Sequence, residues 1–299
     1  MSFPRAREWS WTKLFSWSFT LLAAAFCAAM LLTFIVQSVP VWKHAGFSFP
    51  LGKEWFFRTA LFGALPMIYG SIVVALIAVV IAGPIGLGAA LFTSEYLPSN
   101  ARRFVKTAIE LLAGIPSVVY GLLGVLLLRD WVYHLLQSFD PLSGDTLLTA
   151  AILLAIMILP TIMTLADDAF RSVPHQQRAA ARALGLNKAE ATLFVSLPQA
   201  RAGIVAAILL AFGRAIGETI AVFLVVGRQD NQLPSSVLSL RPLVEAGQTI
   251  TSKLGGSETN IAYGDPLHWA AMVGLALLLL LGVSFLTWFG LRLGERPNA

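Results

Sequence analysis

The sequence predicts an all-α, polytopic membrane protein with six transmembrane helices. Two observations carry this. Of 299 residues, 57% are hydrophobic and only 12% are charged, whereas soluble domains run at about 45–50% apolar and about 25% charged. Too little polar surface remains to coat a soluble particle, and the mean hydropathy of +0.75 agrees. The apolar residues also fall into six runs, Leu14–Val36, Pro66–Phe92, Ala108–Leu128, Leu147–Ala166, Ala202–Val226 and Leu267–Leu291. Each is long enough for the roughly 20 residues that a helix needs to cross hydrocarbon.

The first run follows Arg5, Arg7 and Lys13, as a secretory signal would. It exceeds the about 7–15 residues of a signal core, so it reads as a retained span. The second contains Gly83-Pro84-Ile85-Gly86-Leu87-Gly88. Proline removes a backbone donor, so a kink or break is expected there. In lipid such a break must be satisfied by neighbouring helices, which places this span inside the bundle. The third holds Ala113-Gly114-Ile115-Pro116-Ser117-Val118-Val119-Tyr120-Gly121. Two readings stand: an interrupted helix lining a cavity, or a kinked packing helix.

Between the fourth and fifth runs lies Asp167 to Arg201. Arg178-Ala179-Ala180-Ala181-Arg182-Ala183-Leu184-Gly185 reads as a short helix closed by a left-handed Gly185. Asn187 is a good N-cap for a second helix, expected to reach Leu197 and stop at Pro198. This element is either a rigid connector or a lever docking on a soluble motor.

Basic residues in short loops set orientation. With the N-terminus cytoplasmic, thirteen of them (Arg5, Arg7, Lys13, Arg102, Arg103, Lys106, Arg171, Arg178, Arg182, Lys188, Arg201, Arg292, Arg296) lie inside and seven outside, Lys43, Lys53, Arg58, Arg129, Arg228, Arg241 and Lys253. Both termini are thus expected in the cytoplasm. The net charge of +5 reflects this topology, and nucleic-acid binding is not expected. The outer segment Gly227 to Pro266, with Gly255, Gly256, Ser257 and Asn260, is either a flap, a docking surface or a solvated loop. The chain divides into 1–61, a core 62–226 that includes the loop 167–201, and 227–299.

Charges inside an apolar run mark function, because arginine at a helix centre costs about 2.5–3.5 kcal/mol on insertion scales. Arg214 lies midway along the fifth run, and Glu218 follows at i+4 on the same helix face. A buried Arg214–Glu218 pair is therefore expected. Gly213 and Gly217 beside it allow close approach of another helix. The pair serves either an anion path, since the arginine fork suits tetrahedral oxyanions, or a structural salt bridge. Glu110 is a third candidate buried charge. The lone Cys27 permits no disulfide within the chain, and His44, His134, His175 and His268 are scattered over loops and span ends. There is no nucleotide-binding Gly-x4-Gly-Lys-Ser/Thr motif and no catalytic or metal-ligand constellation, so neither enzyme activity, a metal nor a cofactor is expected.

The loop resembles the cytoplasmic coupling motif of ABC importer permeases: Glu-Ala-Ala, three residues, Gly, nine residues, Ile, one residue, Leu-Pro. Ala180, Ala181, Gly185, Leu197 and Pro198 match, while Ala179 replaces the usual Glu and Val195 the usual Ile. The strings Phe62-Gly63-Ala64-Leu65-Pro66, Ile109 to Gly121, Ile156-Met157-Ile158-Leu159-Pro160 and Gly213-Arg214-Ala215-Ile216-Gly217-Glu218-Thr219 resemble phosphate permeases of the PstC type. That resemblance implies a type I ABC importer architecture in the inner membrane. It implies a second permease of PstA type, two ATPase subunits of PstB type, an external phosphate-binding protein of PstS type, and surrounding membrane lipid. It implies substrate-pathway roles for Arg214, Glu218, Glu110, Ser117 and Tyr120. ATPase-coupling roles follow for Ala180, Ala181, Leu184, Gly185, Leu197 and Pro198. An importer of another oxyanion such as tungstate or molybdate, or an ATP-independent channel or secondary transporter, is the alternative.

Overall fold

The computed structural model describes residues 8–234 and 241–294. Arg5, Arg7 and Arg296, counted above for orientation, lie outside them. Six described helices are long and apolar enough to cross a membrane. They belong to α1 (Glu8–Ala45), α2 (Leu65–Glu95), α4 (Ser117–Leu135), α5 (Leu147–Arg171), α7 (Lys188–Gly217) and α12 (Pro266–Gly294). Shorter helices are α3 (Ser99–Ala113), α6 (His175–Ala183), α8 (Ile220–Val225), α9 (Arg241–Val244), α10 (Ile250–Leu254) and α11 (Glu258–Ala262). A hairpin of β1 (Trp55–Phe56) and β2 (Leu61–Phe62) precedes α2.

The centre of the bundle is the pairing of α2 with α5. Val74, Ala75, Ala78 and Ala82 pack against Ala150, Ala151, Leu154 and Ile158. Small residues allow this approach without a hydrophobic driving force between helices in lipid. Ile162 comes so close to Gly86 that a Cβ there would stand 3.0 Å from it. A second core joins the hairpin, α10 and α12 through Phe49, Trp55, Phe62, Met67, Ile250 and Leu275, at what we call the cap end. A third lies at the opposite, loop end around Met163, Phe170, Val173, Ala200 and Ile204. Span α1 packs on α12. Its side chains Phe15, Leu21, Leu22 and Phe26 stay exposed, a surface suited to lipid or a partner chain.

Several expectations are corrected. The run 108–128 is not one helix. Gly114 caps α3 by bonding back to the Glu110 and Leu111 carbonyls, and Pro116, which has no N–H, precedes the first turn of α4. The third span therefore starts at Ser117, and the helix is interrupted rather than merely kinked. The second run does not break: α2 continues through Pro84 for 31 residues. Only one ladder donor is lost, and the adjacent Gly83 adds no Cβ to the crowding.

Pro198 does not stop a helix either. The turn Thr192–Ser196 widens to a π conformation in which the Leu197 N–H bonds the Thr192 carbonyl, so Pro198 sits in the first turn of the following α-helical stretch. A widened turn relieves the clash of the proline ring with the preceding carbonyl, and such bulges are often found at functional sites. Helix α7 is thus continuous from the loop into the membrane. The fifth run, in contrast, breaks after Gly217: Glu218 is extended at φ −70°, ψ 125°, and a new helix starts at Ile220. Last, 241–265 is no solvated loop. Gln248, Thr249, Thr251, Ser252 and Lys253 are buried, and the Ile250 N–H bonds Ser71 Oγ of α2 at 2.9 Å.

Candidate functional site

Arg214 lies in the last turn of α7, where the helix dipole favours a cation. Its Nη1 donates to Thr161 Oγ1 of α5 at 2.8 Å. The side chain is exposed, not buried. No ion pair joins it to Glu218 among the described residues. The i+4 argument required a helix through position 218, and helical geometry ends at Gly217. Glu218 is half-buried at the break, one residue before Thr219. The methyl of Thr219 packs toward Gly255 of the cap, 3.1 Å from where a Cβ would stand.

Glu110 is likewise exposed, near the C-terminal end of α3 rather than buried in a span. A carboxylate there opposes the helix dipole, so helix stability does not account for it. Tyr120 spans the other break: its hydroxyl donates to the Leu112 carbonyl at 2.9 Å, tying α4 back to α3. Ser117 is half-buried in the first turn of α4.

The two interrupted spans meet. A Cβ at Gly121 would lie 2.7 Å from Leu224 Cδ1 and 3.0 Å from Ala221 Cα, so α4 and α8 touch almost backbone to backbone. Gly124 repeats the contact against Val225. The structure thus brings the start of α4 and the post-break helix α8 together. Arg214 is joined to α5 instead.

At the loop end, Gly185 has φ +87°, the left-handed conformation expected of a C′ glycine. Asn187 accepts from the Glu190 N–H while Glu190 reaches back to the Asn187 N–H, a full capping box. Ala181 is buried and anchors α6, whereas Ala180 and Gly185 are exposed and Leu184 is 83% exposed. Leu193 and Phe194 add apolar surface beside them. Leu197 is half-buried and Pro198 exposed.

A polar cluster at the cap end was not found from sequence. Lys253, only 2% exposed, binds Asp230 at 2.6 Å and also pairs with Glu258. Glu258 Oε1 accepts from Trp55 Nε1 at 2.6 Å and lies 2.9 Å from Nε2 of the buried His268. Burial pushes the Asp230 carboxyl up, against the lowering effect of Lys253. Burial also pushes Glu258 up, but hydrogen bonds from Lys253, Trp55 and His268 together outweigh it, and its carboxyl titrates below the ordinary value. The Thr249 to Ser252 capping box at the start of α10 was the local signal available. Among the described residues no three His, Cys, Asp or Glu side chains are grouped to hold a metal.

Residues 82–296 match the family described as "Binding-protein-dependent transport system inner membrane component". The chain is 37% identical over 257 residues to the phosphate transport system permease protein PstC of Mesorhizobium japonicum, covering 81% of this chain and 76% of that one. It is 34% identical over 280 residues to PstC of Pasteurella multocida, covering 88% and 84%. Among solved structures, a bacterial alginate ABC transporter in complex with its pentasaccharide-bound periplasmic protein aligns over 97% of this chain and 99% of that one. That match has a TM-score of 0.61 at 13% identity and speaks to the fold.

Proposed function

The chain belongs to the PstC-type permeases of the binding-protein-dependent transport family, and from that membership we propose that it is one half of the membrane path of an ATP-driven phosphate importer. It is a multi-pass inner-membrane protein, a permease rather than a catalytic subunit. The observation that carries the substrate reading is Arg214. A permanently charged guanidinium with five donors stands exposed beside a helix break, and among the described residues only Thr161 engages it. Planar bidentate donors suit phosphate oxygens. Glu218, Ser117, Tyr120 and Glu110 sit at or near the two breaks and complete the path with a second, PstA-type permease. Glu218 keeps the anion from binding too tightly to leave.

The loop 172–187 and the start of α7 supply the docking face for two PstB-type ATPases, through Ala180, Leu184, Gly185 and the exposed Phe194. Ala181 and Leu197 shape it from beneath, and Pro198 lies exposed at the start of the α-helical stretch that follows. The loop end and both termini then face the cytoplasm, and the cap end receives a PstS-type binding protein. Reconstitution with these partners in proteoliposomes tests the reading. Labelled phosphate is expected to accumulate only with ATP, and a tenfold excess of tungstate or molybdate is expected to leave uptake unchanged. Uptake without ATP supports the channel reading instead, and strong competition supports another oxyanion.

A further inference from the structure

The two halves of the coupling loop hold two adjacent residues, Glu95 and Tyr96. From α6, Arg178 Nη1 meets Glu95 Oε1 at 3.0 Å, and the Glu95 side chain is only 6% exposed. The same guanidinium donates to the Phe170 carbonyl at the end of α5. From the second half of the loop, the Lys188 ammonium lies 4.9 Å over the ring of Tyr96. Glu95 and Tyr96 are the end of α2. At its other end, α2 is held by the cap: Ser71 Oγ accepts the Ile250 N–H, and Gly70 faces the Gln248 carbonyl so closely that any Cβ would collide with it. From Ser71 to Glu95 the helix covers about 36 Å at about 1.5 Å per residue. Between these two grips it packs along α5.

Resting on the permease reading above, we propose that Glu95 and Arg178 are positioning residues which convert movement of the coupling loop into displacement of α2, and through α2 of the cap. The physical reason is stiffness. A buried ion pair resists both push and pull, because separating it leaves each charge buried and uncompensated, where an apolar contact slides. Arg178 turns inward, onto Glu95 of α2 and the Phe170 carbonyl of α5. Arg178 is the charge of α6 that grips the membrane helix.

The test uses the complete transporter in proteoliposomes, with Glu95→Gln, Arg178→Glu and the swap Glu95→Arg with Arg178→Glu. Each single variant is expected to keep its ATPases and hydrolyse ATP, while phosphate moved per ATP falls fivefold or more. The swap is expected to recover at least half. A second readout needs no substrate: Leu254→Cys in a Cys27→Ser background reports the cap. ATP is expected to change its labelling severalfold, and Glu95→Gln to abolish that change. Wild-type coupling and labelling in Glu95→Gln overturn the proposal. So does failure of Glu95→Gln to assemble, which assigns the pair to fold maintenance alone. Absence of phosphate transport by the unmodified complex counts against the permease reading, and the labelling experiment still decides the strut.

Discussion

Arg214 Nη1 donates to Thr161 Oγ1 at 2.8 Å, joining the last turn of α7 to the middle of α5. The bond holds an always-charged side chain on α5, one turn before the break, without neutralising it. A hydrogen bond from a charged group contributes about 1.5–3 kcal/mol. Thr161→Val is therefore expected to raise the KM for phosphate about tenfold while assembly is unchanged, measured as initial uptake rates over a range of phosphate concentrations. An unchanged KM removes the holding role.

Gly121 permits α4 and α8 to meet. In Gly121→Val the branched side chain enters space held by Leu224 and the Ala221 backbone. Overpacking costs about 1–3 kcal/mol, and the contact belongs to both interrupted spans. A lower melting temperature in detergent and reduced transport are expected together. Wild-type stability argues that the two spans part easily.

Lys253 holds two carboxylates in the cap, and His268 stacks under Phe57 at 4.9 Å beside them. Lys253→Met leaves Asp230 and Glu258 facing each other. Breaking a buried pair costs about 3–5 kcal/mol, and the low end applies because the Asp230 side chain is 33% exposed. Hydrogen exchange in 246–262 is expected to accelerate accordingly, and unchanged protection contradicts this.

The same carboxylates set an acid response. Glu258 titrates below 4.5 in the fold, so its contribution is present above that value and is lost as pH falls through the folded one. Asp230 titrates above 3.8, so its ionisation weakens the fold as pH rises through its folded value, and protonation in acid restores stability. The two oppose each other. Asp230→Asn leaves the acid loss from Glu258 uncompensated, and cap protection is expected to fall more steeply below about pH 4.5 than in the parent. Superimposable profiles count against the assignment.

Gly185 at φ +87° has open space beyond it, so a side chain there meets strain in the backbone alone. Gly185→Ala is expected to cost about 1–2 kcal/mol locally and to weaken ATPase association severalfold in pull-down or light-scattering titrations. Full association shows that the turn is not needed in this conformation.

The six spans were legible because an apolar run of 20 residues has few alternatives to crossing a bilayer. Gly185 and Asn187 were legible because turn and cap chemistry is local. The break before span three was legible as one of two readings, from Gly114 and Pro116, but the break in span five was not. Apolar residues continue on both sides of Glu218–Thr219, and the break there expresses backbone geometry and the contact of Thr219 with the cap. The Arg214–Glu218 pair failed for that reason: i+4 spacing places charges together only where the helix continues. Pro198 reads as a helix stop because the π turn that absorbs it has no signature in composition. The cap cluster was hidden because Trp55, Asp230, Lys253, Glu258 and His268 come from distant segments, Trp55 and Glu258 being 203 residues apart.

The proposed function depends most on the place of Arg214 on the phosphate path. Its most direct test is ATP-dependent uptake of labelled phosphate by the complete transporter carrying Arg214→Gln, with assembly and ATPase binding measured in the same preparation. The exposed position of the side chain predicts normal assembly, and the path role predicts uptake reduced at least tenfold. Wild-type uptake by an assembled Arg214→Gln complex contradicts that role.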